Sequence, residues 1–422
     1  MKVLVVGGGG REHAIIKKLK ESNEITELFA LPGNGGIAAD AVCVSIGTKD
    51  IGAIADFAQK NAIDFAVVAP DDPLVLGAVD ALEALNIPCF GPNKAAAIIE
   101  GSKIFSKNLM KKYEIPTAGY AVFEDMPSAL KYLETAPIPT VIKADGLALG
   151  KGVVIAETRK DAYAAVKSMM EDKVFGESGC RIVIEEFLTG PEVSVLSFTD
   201  GKTLIPMVSS MDHKRALDGD KGLNTGGMGV IAPNPYYTAD IAKLCMETIF
   251  IPTMNAMNAE RRTFKGCLYF GLMLTERGPK VIEYNCRFGD PETQVVLPLL
   301  ETDLFTIMKA VAEERLDEVP VKFADKCACA VVLASNGYPS KYETGFAITV
   351  DADFAAELFI AGAKRTDGEL LTAGGRVLCV TATADDLGSA IAKSYANVKH
   401  VHFENAYCRS DIGRRAMKAI EG

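Results

Sequence analysis

Short apolar runs alternate with amphipathic stretches through the first 92 residues of the chain. The runs KVLVV, ELFAL, DFAVVAP and IPCFGP have the length and composition of buried strands. The segments REHAIIKKLKES and DPLVLGAVDALEALN lie between them and favour helices. This alternation predicts an α/β domain with a doubly wound parallel sheet. Ligands of such sheets bind beyond the carboxyl ends of the strands, so the turns there are candidate binding positions.

The pattern changes after about residue 95. A helical segment containing GSKIFSKNLMKK leads into a small α/β unit over residues 116–190. Its predicted strands are PTVIKAD, VVIAE and RIVIEEF, with a glycine-rich loop, GLALGKG, after the first and a helix near residues 160–172. A second compact module is therefore expected here.

Longer strands follow this unit. EVSVLSF, CLYFGLMLT and KVIEYN predict antiparallel pairing, and a helix is predicted from about Thr238 to Arg261. After Lys326 come the strands CACAVVLAS and GGRVLCVTATA, a helix at 385–399 and a basic end, DIGRRAMK. With no tandem repeat in the chain, the pattern predicts three or four compact modules.

Composition narrows the class of protein. The 422 residues are 49% apolar and 24% charged, with a net charge of −10. An acidic field repels phosphate backbones, so broad binding to nucleic acid or to an anionic membrane is not expected. The chain lacks an unbroken apolar run of membrane-spanning length and a signal peptide, which predicts a cytoplasmic protein. The ten cysteines lack CxxC spacing and are expected to be reduced core residues.

The opening MKVLVVGGGGREHA resembles a dinucleotide-binding turn only in part. In either register of GxGxxG, the third small residue is replaced, by Glu12 or by His13. The second strand ends in Leu31-Pro32-Gly33-Asn34 and lacks the acidic residue that holds a nicotinamide ribose. Backbone amides at a helix N-terminus still suit a phosphate, and the alternative is a merely tight turn.

The stretch VIKADGLALGKGVVIAE predicts a site for a triphosphate. Lys143 lies inside a strand, where an inward lysine is rare unless it meets an anion. The following loop adds glycine amides and a second cation, Lys151, without the spacing of a P-loop. The alternative is an ordinary glycine-rich hairpin with an exposed lysine.

The stretch RIVIEEFLTGPEVSV carries Glu185 and Glu186 at the end of one strand and Glu192 at the start of the next. An acidic strand end beside an exposed backbone can bind an adenine edge, and a carboxylate nearby can bind ribose hydroxyls. A solvated hairpin is the alternative.

The stretch KVIEYNCRFGDPETQ predicts a metal site. Residues two apart in a strand face the same side, so Glu283 and Asn285 project together. Their oxygens suit Mg²⁺, which usually bridges protein carboxylates to substrate phosphates. Arg287 shares that face and can hold a carboxylate or a phosphoryl group. So many polar side chains would be costly in a purely structural strand.

A mixed-charge cluster, MDHKRALDGDKGLNTGGMG, packs Asp212, His213, Lys214 and Arg215 ahead of a glycine-rich turn. A solvated loop is the bland alternative, and His213 taken alone could be a structural hydrogen-bonding group.

The order of these segments resembles the phosphoribosylamine–glycine ligase family (glycinamide ribonucleotide synthetase), an ATP-grasp family of purine biosynthesis. GGGGREHA, GNGG, PDDPL, GSKIFSK, EEFLTGPEVSV, NTGGMG, NCRFGDPETQ, GGRVLCVTA and DIGRRA carry the resemblance over essentially the whole chain. It implies an N-terminal α/β substrate-binding domain (1–100), a two-lobed ATP-grasp unit (101–325, small lobe about 118–190) and a C-terminal strand-rich domain (326–422).

The resemblance also implies the reaction. ATP, glycine and 5-phosphoribosylamine would give glycinamide ribonucleotide, ADP and phosphate. Glycine's carboxylate would attack the γ-phosphate to form glycyl phosphate, which the ribosylamine nitrogen would then displace. A carboxylate is a poor acyl donor and phosphorylation supplies a leaving group, so the protein's work would be positioning and charge neutralisation. The expected enzyme is a cytoplasmic monomer that binds no nucleic acid and no membrane.

Site residues follow from the resemblance by position. The expected ATP contacts are Lys103, Lys143 and Lys151 at the triphosphate, and Glu185, Glu186, Glu192 and the backbone near Leu188 at the adenosine. The expected ligands of Mg²⁺ or Mn²⁺ are Glu283 and Asn285. The expected catalytic residues are Arg287 on the glycine carboxylate, Asp212 on its ammonium, and Lys214. The ribose phosphate would face Gly9, Asn34 and Asp71.

The chain departs from the family pattern at three places. Ala69-Pro70-Asp71 replaces the usual GPE, Met211 replaces the glutamine of QDHKR, and Gly271 stands where many ATP-grasp relatives have another acidic metal ligand. These positions bear on the ribose contact and on the number of bound metals. The competing functions are a nicotinamide-dependent dehydrogenase, an inactive nucleotide-binding module, and another ATP-grasp amine ligase or carboxylase of purine metabolism.

Overall fold

A five-stranded parallel sheet, in the order β3-β2-β1-β4-β5, forms the first part of the chain. The structure is a computed structural model that describes residues 1–147 and 152–421. The strands are β1 Lys2–Gly7, β2 Glu27–Pro32, β3 Val42–Cys43, β4 Phe65–Val68 and β5 Cys89–Phe90, and the helices are α1 Gly10–Leu19, α2 Ile51–Lys60, α3 Asp71–Leu76, α4 Ala78–Glu83 and α5 Lys94–Gly101.

Alternate residues of β1 pack on opposite faces of this sheet. Val5 belongs to one apolar core with Ile15 of α1. Val6 belongs to a second core with Ile54 of α2. Because side chains alternate along a strand, a strand covered on both faces is apolar on both, as the four buried residues after Lys2 are. The predicted doubly wound parallel sheet is confirmed.

Two predicted helices are each divided in the structure. Gly77 separates α3 from α4 with a φ of +96°, a left-handed conformation that glycine adopts without strain. Ser102 separates α5 from α6, Lys103–Lys112, and its hydroxyl caps α6 by accepting from the Phe105 amide. The second break brings Lys103 to the first position of α6.

A four-stranded antiparallel sheet, in the order β6-β9-β7-β8, forms the small α/β unit. Its elements are β6 Tyr120–Phe123, α7 Met126–Leu133, β7 Thr140–Ala144, β8 Val153–Ala156, α8 Arg159–Met170 and β9 Ile182–Glu186. Ile142 and Ile184 pack with both helices in a core of their own, separate from the rest of the chain. The glycine-rich loop between β7 and β8 lies partly outside the described residues.

The next part of the chain is built on a second antiparallel sheet, in the order β11-β10-β16-β17. Its elements are β10 Glu192–Thr199, β11 Leu204–Pro206, β12 Met211–Asp212, β13 Arg215–Leu217, β14 Lys221–Asn224, β15 Gly229–Ala232, α9 Ala239–Cys245, a π-helical turn Met246–Phe250, α10 Ile251–Ala259, β16 Gly266–Thr275, β17 Gly278–Asn285, α11 Thr293–Val296 and α12 Leu304–Ala312. The predicted helix from Thr238 to Arg261 is therefore one run with a π turn inside it, and the predicted antiparallel strands are confirmed.

A third antiparallel sheet joins the last part of the chain to the segment around Asp212. Its order is β12-β15-β18-β23-β20, with β25 beside the end of β18. The elements after residue 326 are β18 Cys327–Ser335, β19 Thr349–Val350, β20 Glu357–Ile360, β21 Ala363–Thr366, β22 Glu369–Thr372, β23 Arg376–Ala384, α13 Leu387–Val398, β24 Val401–His402, β25 Ala406–Tyr407 and α14 Arg414–Glu421. Strand β15, which precedes residue 326, is thus hydrogen-bonded to strand β18, which follows it. Among the described residues, no helix has the length and hydropathy needed to span a membrane.

Candidate active site

A buried cluster of two lysines and one carboxylate lies where β7 and β9 meet α6. Glu185 Oε2 is 3.0 Å from Lys107 Nζ and 3.1 Å from Lys143 Nζ, and all three side chains are buried. Lys143 also donates to the Ile282 carbonyl oxygen at 3.0 Å. Glu185 Oε1 is buried with no hydrogen-bond partner. Two cations to one anion leave excess positive charge here, and the free carboxylate oxygen can accept from a bound ligand.

Lys107 is absent from the residues predicted above. It donates to Thr117 Oγ1 at 2.8 Å, and burial lowers its pKa to about 8. The sequence does contain a signal for it, because Lys103 and Lys107 are four residues apart in α6 and therefore share one face of that helix.

Lys103 contacts the base of the glycine-rich loop, where its Nζ donates to the Gly146 carbonyl oxygen at 2.8 Å. Asp145 Oδ1 accepts from the Ser102 hydroxyl and the Ile104 amide at 2.8 Å each, which fixes the loop to the start of α6. Burial lowers the pKa of Lys103. Lys151, the other predicted cation of this loop, lies outside the described residues.

The predicted adenosine contacts lie between β9 and β10. Glu186 is half-exposed, and its carboxylate accepts from the Gly119 amide at 3.1 Å, which lowers its pKa. Leu188 is partly buried in the connection between the strands. Glu192 Oε2 is 3.1 Å from Lys214 Nζ. The ion pair between Glu192 and Lys214 thus connects the start of β10 to the Asp212 segment.

Glu283 lies between this cationic region and the Asp212 segment. Burial opposes its ionisation, but the charges of Lys214, Lys143, Lys103 and Arg287 lower its pKa. A bulge at Ile282 pairs Glu283 with Gly271, and a Cβ on Gly271 would come within 3.1 Å of Glu283 Cγ. A larger residue opposite Glu283 would therefore crowd its side chain.

Glu283 and Asn285 present the two oxygen donors expected of a Mg²⁺ or Mn²⁺ site. Tyr284 between them is buried, as the period of a strand predicts, whereas Glu283 and Asn285 are only partly buried. Mg²⁺ usually takes one or two protein ligands and completes its shell with water and phosphate oxygens, so an ionised carboxylate and an amide fit it. Within the described ranges, no group of three or more His, Cys, Asp or Glu side chains is arranged to hold a metal.

Arg287 is held by a carboxylate that sequence reasoning missed. Its Nη2 donates to Glu100 Oε1 at 2.9 Å and to Asn285 Oδ1 at 3.1 Å, while the Cys286 amide donates to Glu100 Oε2 at 2.7 Å. Arg287 Nε is buried without a partner. The guanidinium is thus oriented by Glu100 and Asn285 and keeps a free donor for an anion. The spacing of 187 residues between Glu100 and Arg287 leaves no local signal in the sequence.

Asp212 lies in a pocket rich in carboxylates. Its Oδ1 is buried with no partner. Burial, together with the nearby charge of Glu292, raises the pKa of Asp212 well above its ordinary value, although the charges of Lys214 and Arg376 oppose this rise. Glu292 was also missed, and its Oε1 accepts from Tyr269 Oη at 3.1 Å and from Ser194 Oγ at 3.3 Å. This pocket can hold a proton or a cation between two carboxylates.

Lys214 joins the two regions. Its Nζ lies 3.1 Å from Glu192 Oε2 and 4.0 Å from Glu283 Oε1. The charge of Glu192 raises the pKa of Lys214 well above its ordinary value. Lys214 is therefore cationic beside the predicted metal ligand.

The glycine turn after β1 is closed by its own helix. The Gly9 amide donates to Glu12 Oε2 at 2.5 Å, and Arg11 Nε donates to Glu12 Oε1 at 2.6 Å. Glu12 is buried, so the amide expected to meet a phosphate is capped by a carboxylate of α1. A phosphate contact at Gly9 stays a prediction.

The other two predicted positions at this edge differ in their surroundings. Asn34 donates from Nδ2 to the carbonyl oxygens of Gly8 and Ile360, at 3.0 and 2.8 Å, and thereby ties the turn to the C-terminal part of the chain. Asp71 is the first residue of α3. Burial of its carboxylate opposes ionisation, but the charges of Arg287 and Arg11 lower its pKa. Asp71 is thus an ionised carboxylate facing the cations of the cleft.

Comparison with known proteins assigns a family to every part of this arrangement. Residues 1–100 match the profile of the phosphoribosylglycinamide synthetase N domain, residues 101–293 that of the ATP-grasp (A) domain, and residues 328–415 that of the C domain. A phosphoribosylamine–glycine ligase of Clostridium acetobutylicum is 46% identical over 414 residues, which cover 98% of this chain and 100% of the relative.

Solved structures agree with these matches. The crystal structure of phosphoribosylamine–glycine ligase from Thermotoga maritima has a TM-score of 0.87 and 33% identity, and the match covers 98% of this chain and 100% of that one. The biotin carboxylase domain of a Hydrogenobacter thermophilus 2-oxoglutarate carboxylase, solved with MgADP, ADP and bicarbonate, has a TM-score of 0.74 and 15% identity, and covers 96% of this chain and 91% of that one. The second likeness concerns the fold alone.

Proposed function

The chain belongs to the phosphoribosylglycinamide synthetase family, and on that premise we propose that it joins glycine to 5-phosphoribosylamine with ATP. The products are glycinamide ribonucleotide, ADP and phosphate, as in the corresponding step of purine biosynthesis. One observation supports this most strongly: Glu283 lies between a lysine-rich region and a pocket in which Asp212 Oδ1 has no partner. The first region suits the phosphates of ATP and the second suits the ammonium of glycine.

The lysine-rich region serves the nucleotide in this proposal. Lys103 and Lys143, with Lys151 from the glycine-rich loop, neutralise the triphosphate. The free Oε1 of Glu185 accepts from the adenine amino group, and Glu186, Glu192 and the backbone near Leu188 complete the adenosine site. Glu283 and Asn285 would hold a divalent metal, Mg²⁺ or Mn²⁺, which supplies positive charge to the phosphate oxygens.

The pocket beyond Glu283 orients glycine. Asp212 accepts from the ammonium, and the free Nε of Arg287 donates to the carboxylate, so that a carboxylate oxygen points to the γ-phosphorus. Attack by that oxygen breaks the bond between the γ-phosphorus and the bridging oxygen, and gives glycyl phosphate and ADP. Lys214 and Arg287 stabilise the negative charge on the transferred group.

The amine of phosphoribosylamine then attacks the glycyl carbonyl carbon, and phosphate leaves. The proposed position of this substrate is the edge formed by Gly9, Asn34 and Asp71, because Arg287 contributes to the electrostatics of both Asp71 and Glu283. Asp71 is a candidate acceptor for ribose hydroxyls, with a side chain one methylene shorter than the glutamate usual in the family.

The organisation of the chain belongs to the same proposal. We place the substrate-binding domain at 1–100, the ATP-grasp unit at 101–325 and the C-terminal domain at 326–422. We also propose that the enzyme acts as a monomer in the cytoplasm, which sedimentation of the purified protein and fractionation of the source cells test.

The deciding experiment measures ADP release from the full chain with magnesium and ATP. Release is expected only when glycine and freshly generated phosphoribosylamine are both present. Bicarbonate in place of glycine is the matched control, because carboxylases share this fold. ADP release that is as fast with bicarbonate as with glycine would exclude the proposed substrate. A shift in NADH fluorescence on titration would favour the dehydrogenase instead.

A further inference from the structure

The segment that carries Asp212 and Lys214 is bonded to the end of the chain. We call residues 212–229 the acidic-pocket segment and residues 407–413 the C-terminal strap. The proposed function leaves the strap without a role, although its last three residues begin the DIGRRA segment that carries part of the family resemblance. The two meet because β12 and β15 belong to the same sheet as β18 and β25.

Arg409 is the centre of this junction. Its side chain is 2% exposed. Nε and Nη2 donate to the two carboxylate oxygens of Asp411 at 2.7 and 2.9 Å, and Nη1 donates to the Arg215 carbonyl oxygen and to Asp220 Oδ1, at 3.0 Å each. The bidentate pair with Asp411 fixes the plane of the guanidinium group. Its Nη1 can therefore bind the backbone of Arg215, the residue after Lys214 in the acidic-pocket segment.

Other bonds repeat this connection on either side. Asp218 accepts from the backbone amide of Ser410 at 2.9 Å and also from its hydroxyl. The Gly219 amide donates to Asp411 Oδ2 at 2.8 Å, and Tyr407 Oη donates to the Ala216 carbonyl oxygen at 2.9 Å. The acidic-pocket segment is therefore bound along its first half, from both its backbone and its side chains.

His213, the residue between Asp212 and Lys214, is itself hydrogen-bonded to the C-terminal strap. The Gly413 amide donates to His213 Nε2 at 3.1 Å, so Nε2 carries no proton. Nδ1 then carries the proton and donates to the Gly229 carbonyl oxygen at 3.2 Å. A neutral imidazole thus links the strap to the far end of the acidic-pocket segment. Burial and the charge of Arg409 lower the pKa of His213 to about 4, consistent with that neutral form.

We propose that the C-terminal strap is a positioning element for the reaction, and that Arg409 is its principal positioning residue. Arg409 touches no reacting group and acts by holding the backbone from which Asp212 and Lys214 project. This inference rests on the proposed function, because it assigns the ammonium of glycine to Asp212. It predicts that damage to the strap changes the use of glycine and leaves the binding of ATP intact, since Lys103, Lys143 and Glu185 lie on other elements.

Arg409→Lys tests the proposal in the full-length enzyme. Lysine keeps the charge and loses the planar fork, so Asp411 and the acidic-pocket segment can no longer be held together. We expect the KM for glycine to rise at least tenfold, with a lower kcat and with the KM for ATP within twofold of the wild-type value. Arg414→Met, which removes an exposed arginine from the start of α14, is the matched control and should change neither constant.

Asp220→Asn keeps the test decisive if Arg409→Lys fails to fold, because Asp220 is nearly half-exposed and lies on the opposite side of the junction. It should raise the KM for glycine in the same direction, by about threefold or more. Glycine and ATP constants that rise together, or that both stay at wild-type values in folded variants, would overturn the positioning role. A wild-type enzyme that needs no glycine would instead refute the proposed function itself.

Discussion

The two sides of Glu283 differ in the charge that they bury. On one side, Lys107 and Lys143 share a single carboxylate, Glu185. On the other side, Asp212 and Glu292 lie near each other, and burial with their mutual repulsion raises the pKa of Asp212. A buried cluster with an uncompensated charge is costly until a ligand of the opposite charge arrives. The contrast thus separates a side suited to a polyanion from a side suited to an ammonium group.

Under the proposed function, this difference would also keep the two substrates apart. A nucleotide triphosphate in the acidic pocket would meet Asp212 and Glu292, and an amino acid among the lysines would present its ammonium to like charge. Under the proposed function, each substrate would be rejected by the side that suits the other, and Glu283 with Asn285 would lie where the two substrates meet.

Removing the carboxylate at the boundary should have the largest effect. Glu283→Gln deletes the anion that lies among Lys214, Lys143 and Lys103, and with it the charged metal ligand. We expect kcat to fall by about 10²-fold or more at ordinary magnesium, as for loss of a charge-stabilising group. Steady-state ADP formation measures this. Glu276→Gln, on the exposed turn between β16 and β17, is the matched control, and a near wild-type kcat for Glu283→Gln would refute the ligand role.

Neutralising the acidic side should come next. In Asp212→Asn, the side chain keeps its size and loses its charge, so one charge-assisted hydrogen bond to glycine is lost. We expect kcat/KM for glycine to fall about 10- to 100-fold, with the KM for ATP unchanged. Asp240→Asn, exposed at the start of α9, provides the control. A change confined to the kinetic constants for ATP would show that Asp212 contributes to ATP binding and not to glycine binding.

A smaller effect is expected on the cationic side. Lys107→Met removes one of the two lysines that hold Glu185, and the KM for ATP should rise about tenfold while the KM for glycine stays constant. Lys111→Met, exposed on the same helix, controls for loss of a lysine from α6. Equal effects of the two variants would mean that Lys107 has no part in nucleotide binding.

A further prediction concerns the acid stability of the fold around His213 and not catalysis. The pKa of His213 is about 4 when folded and about 6.5 when unfolded, so the unfolded chain binds more protons between these values. Stability from this group is therefore present above pH 6.5 and is lost as the pH falls. From pH 7 to pH 5 the loss is about 2 kcal/mol.

Denaturant unfolding at the two pH values measures that loss. The decrease should be smaller by this amount in His213→Gln than in the wild type. An undiminished pH dependence in His213→Gln would show that His213 takes up its proton over the same pH range in the folded and unfolded protein, and would contradict the lowered pKa.

How much of this contrast could be predicted from the sequence depends on how far apart the interacting residues lie in the chain. The doubly wound sheet follows from local alternation, and the shared face of Glu283 and Asn285 follows from the period of a strand. Lys143 was recognisable because a lysine inside an apolar strand needs an anion. All of these signals lie within a few residues of one another.

The remaining parts depend on distant contacts. Glu100 meets Arg287, and Arg409 meets Asp220, only because the fold brings together residues that are 187 and 189 positions apart in the chain. At the Gly9 turn the local pattern suits a phosphate, and the structure adds that Glu12, three residues later, caps the amide. A neighbouring carboxylate in the same helix was visible in the sequence, but its rotamer was not.

The most direct test of the central claim follows the oxygen atoms of glycine. If the glycine carboxylate is activated at the boundary marked by Glu283, one of its oxygens must leave with phosphate when the amine attacks. Glycine labelled with ¹⁸O in both carboxylate oxygens, incubated with enzyme, ATP and phosphoribosylamine, should yield one ¹⁸O per phosphate released. Mass spectrometry of the phosphate measures this, and unlabelled phosphate formed alongside glycinamide ribonucleotide would contradict the account.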